Sequence, residues 1–290
     1  MDTTILQNIL IPFGLDLPAD ALVPFQSAED GSDYSVWKLS CGNNTYVLKE
    51  AKAFEAETYR TFFSQNTAYA PKLFRTAQAG EKTYLLMEYI PGSDLRCCDR
   101  KRLILTLDSL IAIQRQWWNH PSPETGYHYT QSLSGRHNRL NYLQDSQLEA
   151  AYRAFLDCYC AIPKTLCHDD LLPFNVLCDD RRAVFIDWEY GGILPYPTSL
   201  VRLLAHGQEQ EDAFFYLKEA DRAFAVDYYY QNFICQMGIS QGHYLETVRL
   251  FTFYEYCEWV YVGNRYGSTD SLRFRTYFQK AKALAAELGF

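Results

Sequence analysis

Several features that would assign this chain to other classes of protein are missing from its sequence. No apolar run approaches the ~20 residues of a membrane-spanning helix, and the N-terminus MDTTILQNILIPFG lacks the basic start and cleavage site of a secretory signal. Lysine and arginine total 27 against 35 aspartates and glutamates, so a net charge of −8 provides no basic excess to neutralise nucleic-acid phosphates. We therefore expect a soluble, cytoplasmic protein without nucleic-acid or membrane partners.

Cysteine is present, but not in the patterns that build metal or disulfide sites. None of the nine cysteines stands in a C-x-x-C pair, and the close spacings Cys97-Cys98 and Cys158/Cys160 suit neither zinc ligation nor easy bridging. We expect reduced thiols with structural roles. With 290 residues, 48% of them hydrophobic, the chain can bury a large core in one two-lobed unit or in two domains.

The N-terminal part of the chain has the pattern of a small antiparallel sheet with one helix. Runs rich in β-branched and aromatic residues at 34–40 and 45–49 flank a CGNN turn, which predicts a hairpin. A third strand is predicted at 84–90, after the polar turn AQAGEK. Between them, residues 52–65 lack glycine and proline and space their aromatic residues as a helix does.

The pattern changes near PGSDL (91–95), which predicts an α+β chain with an N-terminal lobe, 1–92, and a larger, mainly helical C-terminal lobe, 93–290. The elements predicted in the second lobe are helices at 103–118, at 140–159 and from about 198 onward, and a strand pair at 176–187.

The most specific chemistry lies in TLCHDDLLPFNVLCDDRRAVFIDWEY, residues 165–190. His168, Asp170 and Asn175 have the spacing H-x-D-x-x-x-x-N, and Asp187 ends the apolar strand that follows. Phosphoryl transfer needs a carboxylate that orients the attacking hydroxyl and accepts its proton, and oxygen ligands for Mg²⁺ at the nucleotide phosphates. Asp170 suits the first role, and Asn175 with Asp187 suits the second. Each residue alone is common in polar turns, but the combination predicts a kinase site.

This stretch resembles the catalytic loop of the aminoglycoside phosphotransferase and choline kinase superfamily, which reads H-G-D or H-N-D, then N, then I-D-[WFY]-E. The resemblance covers roughly residues 25–205 and implies a protein-kinase-like, two-lobed fold with ATP and Mg²⁺ as cofactors. It makes Asp170 the catalytic base and puts Asn175 and Asp187 at the magnesium ion, whereas His168 would orient the loop by hydrogen bonds.

Other parts that the resemblance implies occur upstream in the required order. Lys49, at the end of YVLK, matches the phosphate-binding lysine of the superfamily. The next helix offers its partner carboxylate, and we assign Glu57 rather than Glu55 because AETYRTFF fits the pattern E-x-x-x-x-[LF] better. In MEYIPGSDL, the backbone of Glu88 and Ile90, or of their neighbours, is expected to bind adenine.

The sequence departs from the superfamily pattern at two positions. The turn before YSVWKL contains a single glycine, Gly31, and no G-x-G-x-x-G. In PTSLVRLL, Ser199 stands where the superfamily usually carries an aspartate that supports the catalytic loop. Asp169 occupies the variable middle position of the H-x-D motif. These departures leave a nucleotide-binding pseudokinase or interaction protein as an alternative of another class.

An acceptor site is predicted on the C-terminal helix with the sequence FTFYEYCEWVY, residues 251–261. At helical spacing, Tyr254 and Glu258 share one face, and Glu255 and Trp259 share the adjacent one. Aromatic faces with carboxylates suit a cationic acceptor through cation–π contacts and ion pairs. The alternative interpretation is a buried aromatic helix.

The sequence thus predicts a small-molecule kinase that phosphorylates a hydroxyl of an amine-bearing molecule, with choline or ethanolamine as the nearest guesses. HDDLLPFN and IDWEYGG resemble the choline kinase forms at least as well as the aminoglycoside forms. An aminoglycoside or a sugar of the methylthioribose type remains the alternative acceptor.

Overall fold

The computed structural model describes residues 10, 13, 22–26, 33–65, 68–210 and 213–290. Gly31 and the predicted phosphate-covering turn lie outside the described residues. The N-terminal lobe consists of an antiparallel sheet in the order β1-β2-β3-β5-β4 and one described helix next to it. Its elements are β1 (Leu22–Gln26), β2 (Asp33–Cys41), β3 (Asn44–Glu50), α1 (Glu55–Phe62), β4 (Leu73–Ala79) and β5 (Lys82–Glu88).

Two predicted turns are confirmed. Cys41 pairs with Asn44 across the β2–β3 turn, and Ala79 pairs with Lys82 across the β4–β5 turn. Each turn holds a glycine with positive φ, +58° in the first and +62° in the second, which a residue with a Cβ adopts only with strain. Strands β1 and β4 were not predicted, because most of their residues are exposed and show no alternation of apolar and polar side chains.

Alternation along β5 divides the side chains between the two faces of the sheet. Leu85 and Met87 join the large core that α1 and the C-terminal lobe share. Tyr84 and Leu86 lie on the opposite face, in a smaller cluster with Leu48 of β3. Burial on both faces explains why this strand was predicted from its apolar run.

The C-terminal lobe is mainly helical, as expected. The predicted helix at 140–159 is wrong at its start, because the side chain of Asp145 accepts a hydrogen bond from the Leu148 amide at 3.0 Å and thereby caps a helix that begins at Ser146. A polar helix before it was missed. The helices are α2 (Arg100–Gln116), α3 (Tyr129–Leu140), α4 (Ser146–Ala161), α5 (Pro197–Leu204), α6 (Glu219–Asn232), α7 (Gln241–Tyr266) and α8 (Leu272–Glu287).

Short, largely buried strands of this lobe bring the motif residues together. The strand pair predicted at 176–187 is confirmed as a hairpin, and an antiparallel pair, missed from sequence, sets His168 opposite Gly191. The strands are β6 (Ser93–Asp94), β7 (Lys164–His168), β8 (Val176–Cys178), β9 (Ala183–Phe185) and β10 (Gly191–Pro195).

The nine cysteines are all free thiols, as expected. Within the described ranges, no helix combines the length and the apolar character that crossing a membrane requires. The division of the lobes at residues 92 and 93 stays a prediction.

Candidate active site

Lys49 is the centre of a buried ion cluster between the lobes. Its Nζ lies 2.7 Å from Glu55 Oε1 on α1 and 2.5 Å from Asp187 Oδ1, which follows β9. Burial acts to lower the pKa of Lys49, but the charges of Glu55 and Asp187 outweigh it and raise this pKa. Burial acts to raise the pKa of Asp187, and the charge of Lys49 outweighs it, so this pKa falls below its usual range. The cluster therefore keeps a lysine ammonium and an aspartate carboxylate together in their charged forms.

The assignment of Glu57 as the partner of Lys49 is wrong, because Glu55 occupies that position. Glu55 shares the buried face of α1 with Tyr59 and Phe62, at spacings of four and seven residues. Glu57 lies on another face, where it accepts a hydrogen bond from Thr125 Oγ1 at 2.6 Å. The helical periodicity of the buried side chains, rather than the motif pattern, was the signal that distinguishes the two glutamates.

His168 shapes the catalytic loop through both ring nitrogens. Its Nδ1 accepts from the Asp170 amide at 3.2 Å, so Nε2 carries the proton and donates to the Ile186 carbonyl at 2.8 Å. Burial lowers the pKa of His168, which favours this neutral form. The ring thus ties the loop before Asp170 to the strand that leads to Asp187, and these are orienting bonds of the kind expected from the sequence.

Asn175 and Asp187 are joined through the backbone. The Ile186 amide donates to the Asn175 carbonyl at 2.9 Å, and Asn175 Nδ2 donates to the Asp170 carbonyl at 2.8 Å. Asp187 has φ +64°, a left-handed conformation that costs energy for any residue with a Cβ. Three predicted site residues therefore meet at one place, although a stretch of 17 positions separates the first from the last.

The donor set fits a magnesium ion. An amide oxygen and a carboxylate are hard ligands, and Mg²⁺ in nucleotide sites is commonly held by one or two carboxylates together with phosphate oxygens and waters. Among the described residues, no group of three or more acidic, histidine or cysteine side chains forms a preformed cage. Asn175 and Asp187 would hold the ion, which would offset negative charge on the phosphates.

Glu189 is a carboxylate of this site that sequence reasoning missed. It is half-buried, and its pKa is raised first by burial and then by the charge of Asp187, whereas Lys52 and Lys49 act to lower it. Perturbed carboxyl pKa values are common at functional sites. The signal was available in the sequence, since Glu189 is part of the IDWE element itself.

Asp169, in the middle of the motif, anchors the loop to α3. Arg136 donates to both of its carboxylate oxygens, at 2.6 and 3.1 Å, and Ser132 and Tyr127 donate to Oδ2 at 3.0 and 2.9 Å. The guanidinium lies over the ring of Tyr254, 4.7 Å from its centroid. This network satisfies a charge that would otherwise be costly to bury.

Close packing against neighbouring residues explains the two glycines of WEYGG. A Cβ on Gly192 would lie 2.4 Å from the Tyr127 carbonyl oxygen, and a Cβ on Gly191 would lie 2.6 Å from a methyl group of Thr58 on α1. The ring of Tyr127 also contacts Phe54, with 5.7 Å between the ring centroids. The loop before α3 therefore touches the N-terminal lobe and the catalytic loop at once.

Arg202 on α5 is a further residue of the site that was not predicted. Its Nε and Nη2 donate to Asp170 Oδ1 at 3.1 and 2.7 Å, and its Nη1 donates to Glu255 Oε2 at 2.8 Å. The signal in the sequence is a single charged residue within the apolar helix PTSLVRLL, three positions after Ser199 and thus on the same face.

The four residues predicted to bind the acceptor are engaged with other side chains. Tyr254 is buried and stacks on Phe155 with ring centroids 4.6 Å apart, and Glu258 forms an ion pair with Arg139. Glu255 forms an ion pair with Arg202. Trp259 lies under Arg273, whose guanidinium is 4.4 Å from the ring centroid. Both carboxylates have cationic partners in this structure, so the role of this helix in binding a cationic acceptor stays a prediction. The alternative interpretation of FTFYEYCEWVY, a buried aromatic helix, describes it better.

The predicted adenine-binding segment lies where β5 leaves the sheet. The Glu88 amide donates to the Lys72 carbonyl at 2.9 Å. The Glu88 side chain accepts a hydrogen bond from Arg182 Nη2 at 3.0 Å. Ile90 is buried just beyond the strand. The amide of Glu88 is therefore already used, and its role in binding a nucleotide base stays a prediction.

A lysine–glutamate pair in a small sheet lobe, facing an aspartate and asparagine loop on a helical lobe, defines a protein-kinase-like fold built for phosphoryl transfer. The chain belongs to the phosphotransferase enzyme family, whose model matches residues 25–230. It is therefore a small-molecule kinase, which implies that it uses ATP and acts on a small-molecule substrate. None of the curated proteins compared with this chain matches it significantly.

Solved structures that resemble the chain have the same fold at low sequence identity. A choline/ethanolamine kinase family protein from Mesorhizobium loti superimposes with a TM-score of 0.63 at 15% identity, over 98% of this chain and 94% of its own. A choline kinase from Cryptosporidium parvum Iowa II gives 0.60 at 15% identity, over 99% and 97%. An amicoumacin kinase in complex with AMP-PNP, Ca²⁺ and Ami gives 0.61 at 12% identity, over 99% and 96%.

Proposed function

We propose that this kinase uses Mg²⁺ with ATP and phosphorylates a hydroxyl of a small, amine-bearing molecule, with choline and ethanolamine as the first acceptors to test. The observation that carries the proposal is a chain of contacts. Lys49 of the N-terminal lobe meets Asp187, the Ile186 amide beside Asp187 bonds the Asn175 carbonyl, and the Asn175 side chain bonds the Asp170 carbonyl. Apart from Ile186, each of these residues supplies a group that phosphoryl transfer requires. Catalysis of this transfer depends mainly on positioning the reactants and on offsetting the negative charge of the phosphates.

The residues of this chain would act as follows. Lys49, held by Glu55, would bind the nucleotide phosphates. Asn175 and Asp187 would hold magnesium, which offsets charge on the transferring group. Asp170 would orient the acceptor hydroxyl and take its proton, and Oδ2 is the oxygen for this role because Arg202 occupies Oδ1.

An amine-bearing acceptor is supported by the groups around Asp170. Tyr190 follows Glu189, and its ring is 37% exposed. The pKa of its hydroxyl is raised first by burial and then by the charges of Glu189 and Asp170. An exposed aromatic face next to acidic groups favours a cation. This support replaces that of Glu255 and Glu258, which are already paired.

A coupled ADP-release assay tests the proposal. The wild type is given Mg–ATP with choline, ethanolamine, methylthioribose, homoserine or one of several aminoglycosides, and Asp170→Ala is the blank. Asp180→Ala, in the exposed turn between β8 and β9, is the matched control. We expect release that depends on an amine-bearing acceptor, that is lost in Asp170→Ala by orders of magnitude, and that is kept in Asp180→Ala.

Other outcomes separate the alternatives. Turnover with an aminoglycoside or a sugar but not with the small amines would overturn the proposed acceptor class. The proposed kinase reaction would still stand. Absence of Mg-dependent ATP binding in the wild type would overturn the reaction and favour the interaction protein.

A further inference from the structure

A continuous line of polar contacts runs from Asp170 into the interior of the C-terminal lobe. Arg202 bonds Asp170 on one side and Glu255 of α7 on the other, as described above. His206 Nε2 lies 3.2 Å from the same oxygen of Glu255. His206 Nδ1 in turn lies 2.9 Å from the hydroxyl of Tyr277 on α8. Three helices are therefore joined to one carboxylate of the catalytic loop.

The inner members of this line are buried charged or polar groups. Glu255 is 4% exposed, and His206 and Tyr277 are 6% exposed. Burial acts to raise the pKa of Glu255, but Arg202 and His206 outweigh it and lower this pKa to about 2. A buried ion pair contributes little net stability compared with well-packed apolar residues, so stability alone is a poor reason to find one here.

We infer that Arg202 and Glu255 are positioning residues for the base, an inference that rests on the function proposed above. The guanidinium holds Asp170 Oδ1 through two donors and so anchors one oxygen of the carboxylate. Glu255 fixes the guanidinium from the other side, and it balances a positive charge that would otherwise face Asp170 alone. Neither residue needs to touch the acceptor.

Two contacts from the same helix, α5, support the positioning role of Arg202. Arg202 lies three residues after Ser199, which bonds the backbone of His168 at 2.9 Å. One face of α5 therefore holds the catalytic loop twice, by its backbone through Ser199 and by its reactive side chain through Arg202. The 8-residue helix is itself buried almost throughout, so its two contacts are rigidly related.

Steady-state kinetics of Glu255→Gln distinguishes positioning from acceptor binding. The substitution keeps the volume and removes the charge. We expect kcat to fall by about 10- to 100-fold, because small misplacement of a reacting group has effects of that size, with the KM for ATP and for the acceptor near wild type. Tyr277→Phe, which removes only the last hydroxyl of the line, is expected to fold normally and to show a smaller loss of kcat.

The matched control is Asp221→Asn, which removes the charge from another buried carboxylate of this lobe, one that pairs with Arg100 on α2 instead. We expect its kcat to equal that of the wild type. In combination, Glu255→Gln and Arg202→Met are expected to be non-additive, since both break the same contact. A raised KM for the acceptor at unchanged kcat in Glu255→Gln would overturn the inference.

Hydrogen–deuterium exchange of residues 165–175 gives a readout that needs no turnover. We expect faster amide exchange of this segment in Glu255→Gln than in wild type or Asp221→Asn, because Arg202, the side-chain anchor of the loop, is held less firmly. Equal exchange in all three proteins would overturn the inference. Mg–ATP binding by the wild type, measured alongside, reports separately on the proposed function.

Discussion

Ser199 Oγ accepts a hydrogen bond from the His168 amide at 2.9 Å and lies 3.3 Å from the His168 carbonyl, to which it donates. A serine thus bonds the catalytic loop at the position where the sequence resemblance leads one to expect an aspartate. Because the hydroxyl is both donor and acceptor, it serves two backbone groups that a carboxylate, which only accepts, could not serve together. The departure from the superfamily pattern is therefore compensated in the structure.

Ser199→Ala is expected to destabilise the protein by about 1–3 kcal/mol, because it leaves the buried His168 amide without its partner. Urea unfolding gives the free energy of unfolding. The control is Thr198→Val, since the Thr198 hydroxyl is buried and has no hydrogen-bond partner among the described residues. Equal losses in the two variants would show that the Ser199 bond contributes nothing of its own.

Glu55→Gln is expected to weaken Mg–ATP binding by about tenfold, a factor typical of losing a hydrogen bond to a charged group. The reason is that Glu55 holds Lys49 in place. Glu57→Gln should leave the affinity unchanged, because its carboxylate contacts Thr125 instead. Isothermal titration calorimetry measures both. A larger effect from Glu57→Gln would restore the assignment made from sequence.

Asp187→Ala is expected to abolish the magnesium dependence of nucleotide binding, since it removes a carboxylate of the proposed metal site. Titration of ATP with and without Mg²⁺, in wild type and variant, measures the dependence. Nucleotide affinity equal to wild type with magnesium present would contradict the metal assignment.

Asp169→Ala is expected to cost about 3–5 kcal/mol of unfolding free energy, because it leaves a buried guanidinium without its carboxylate. The side chains of Arg136 and Asp169 are only 4% and 10% exposed. In the double variant with Arg136→Met, part of the loss should be recovered, since no unpaired charge remains. Urea unfolding of the single and double variants decides this, and a double variant less stable than Asp169→Ala would argue against it.

Glu255 is expected to make stability depend on acid pH. Its folded-state pKa of about 2 lies below the ordinary value of 4.5. The unfolded chain therefore takes up this proton first, and the contribution is fully present above about pH 4.5 and is lost as the pH falls toward 2. Its size is about 3 kcal/mol by linkage. Urea unfolding at several pH values should show the advantage of wild type over Glu255→Gln shrinking below pH 4.5, and a constant difference would contradict the assignment.

The sequence by itself was enough to predict the family, the two-lobed α+β fold and the small-molecule kinase class. His168, Asp170 and Asn175 lie within one short loop, so their spacing along the chain determines their geometry. Strands buried on both faces, such as β5, and turns that require glycine were predictable for the same reason, because local patterns reflect local structure.

What only the tertiary structure decided is which charged side chains meet. Arg202 joins Asp170 to Glu255 across 32 and 53 positions of the chain, and Lys49 meets Asp187 across 138. A helical pattern places Glu255 on a face but does not say that an arginine from α5 will neutralise it there. Ion pairs between distant segments depend on how whole elements pack, and that packing pairs Glu255 with Arg202, which also bonds Asp170.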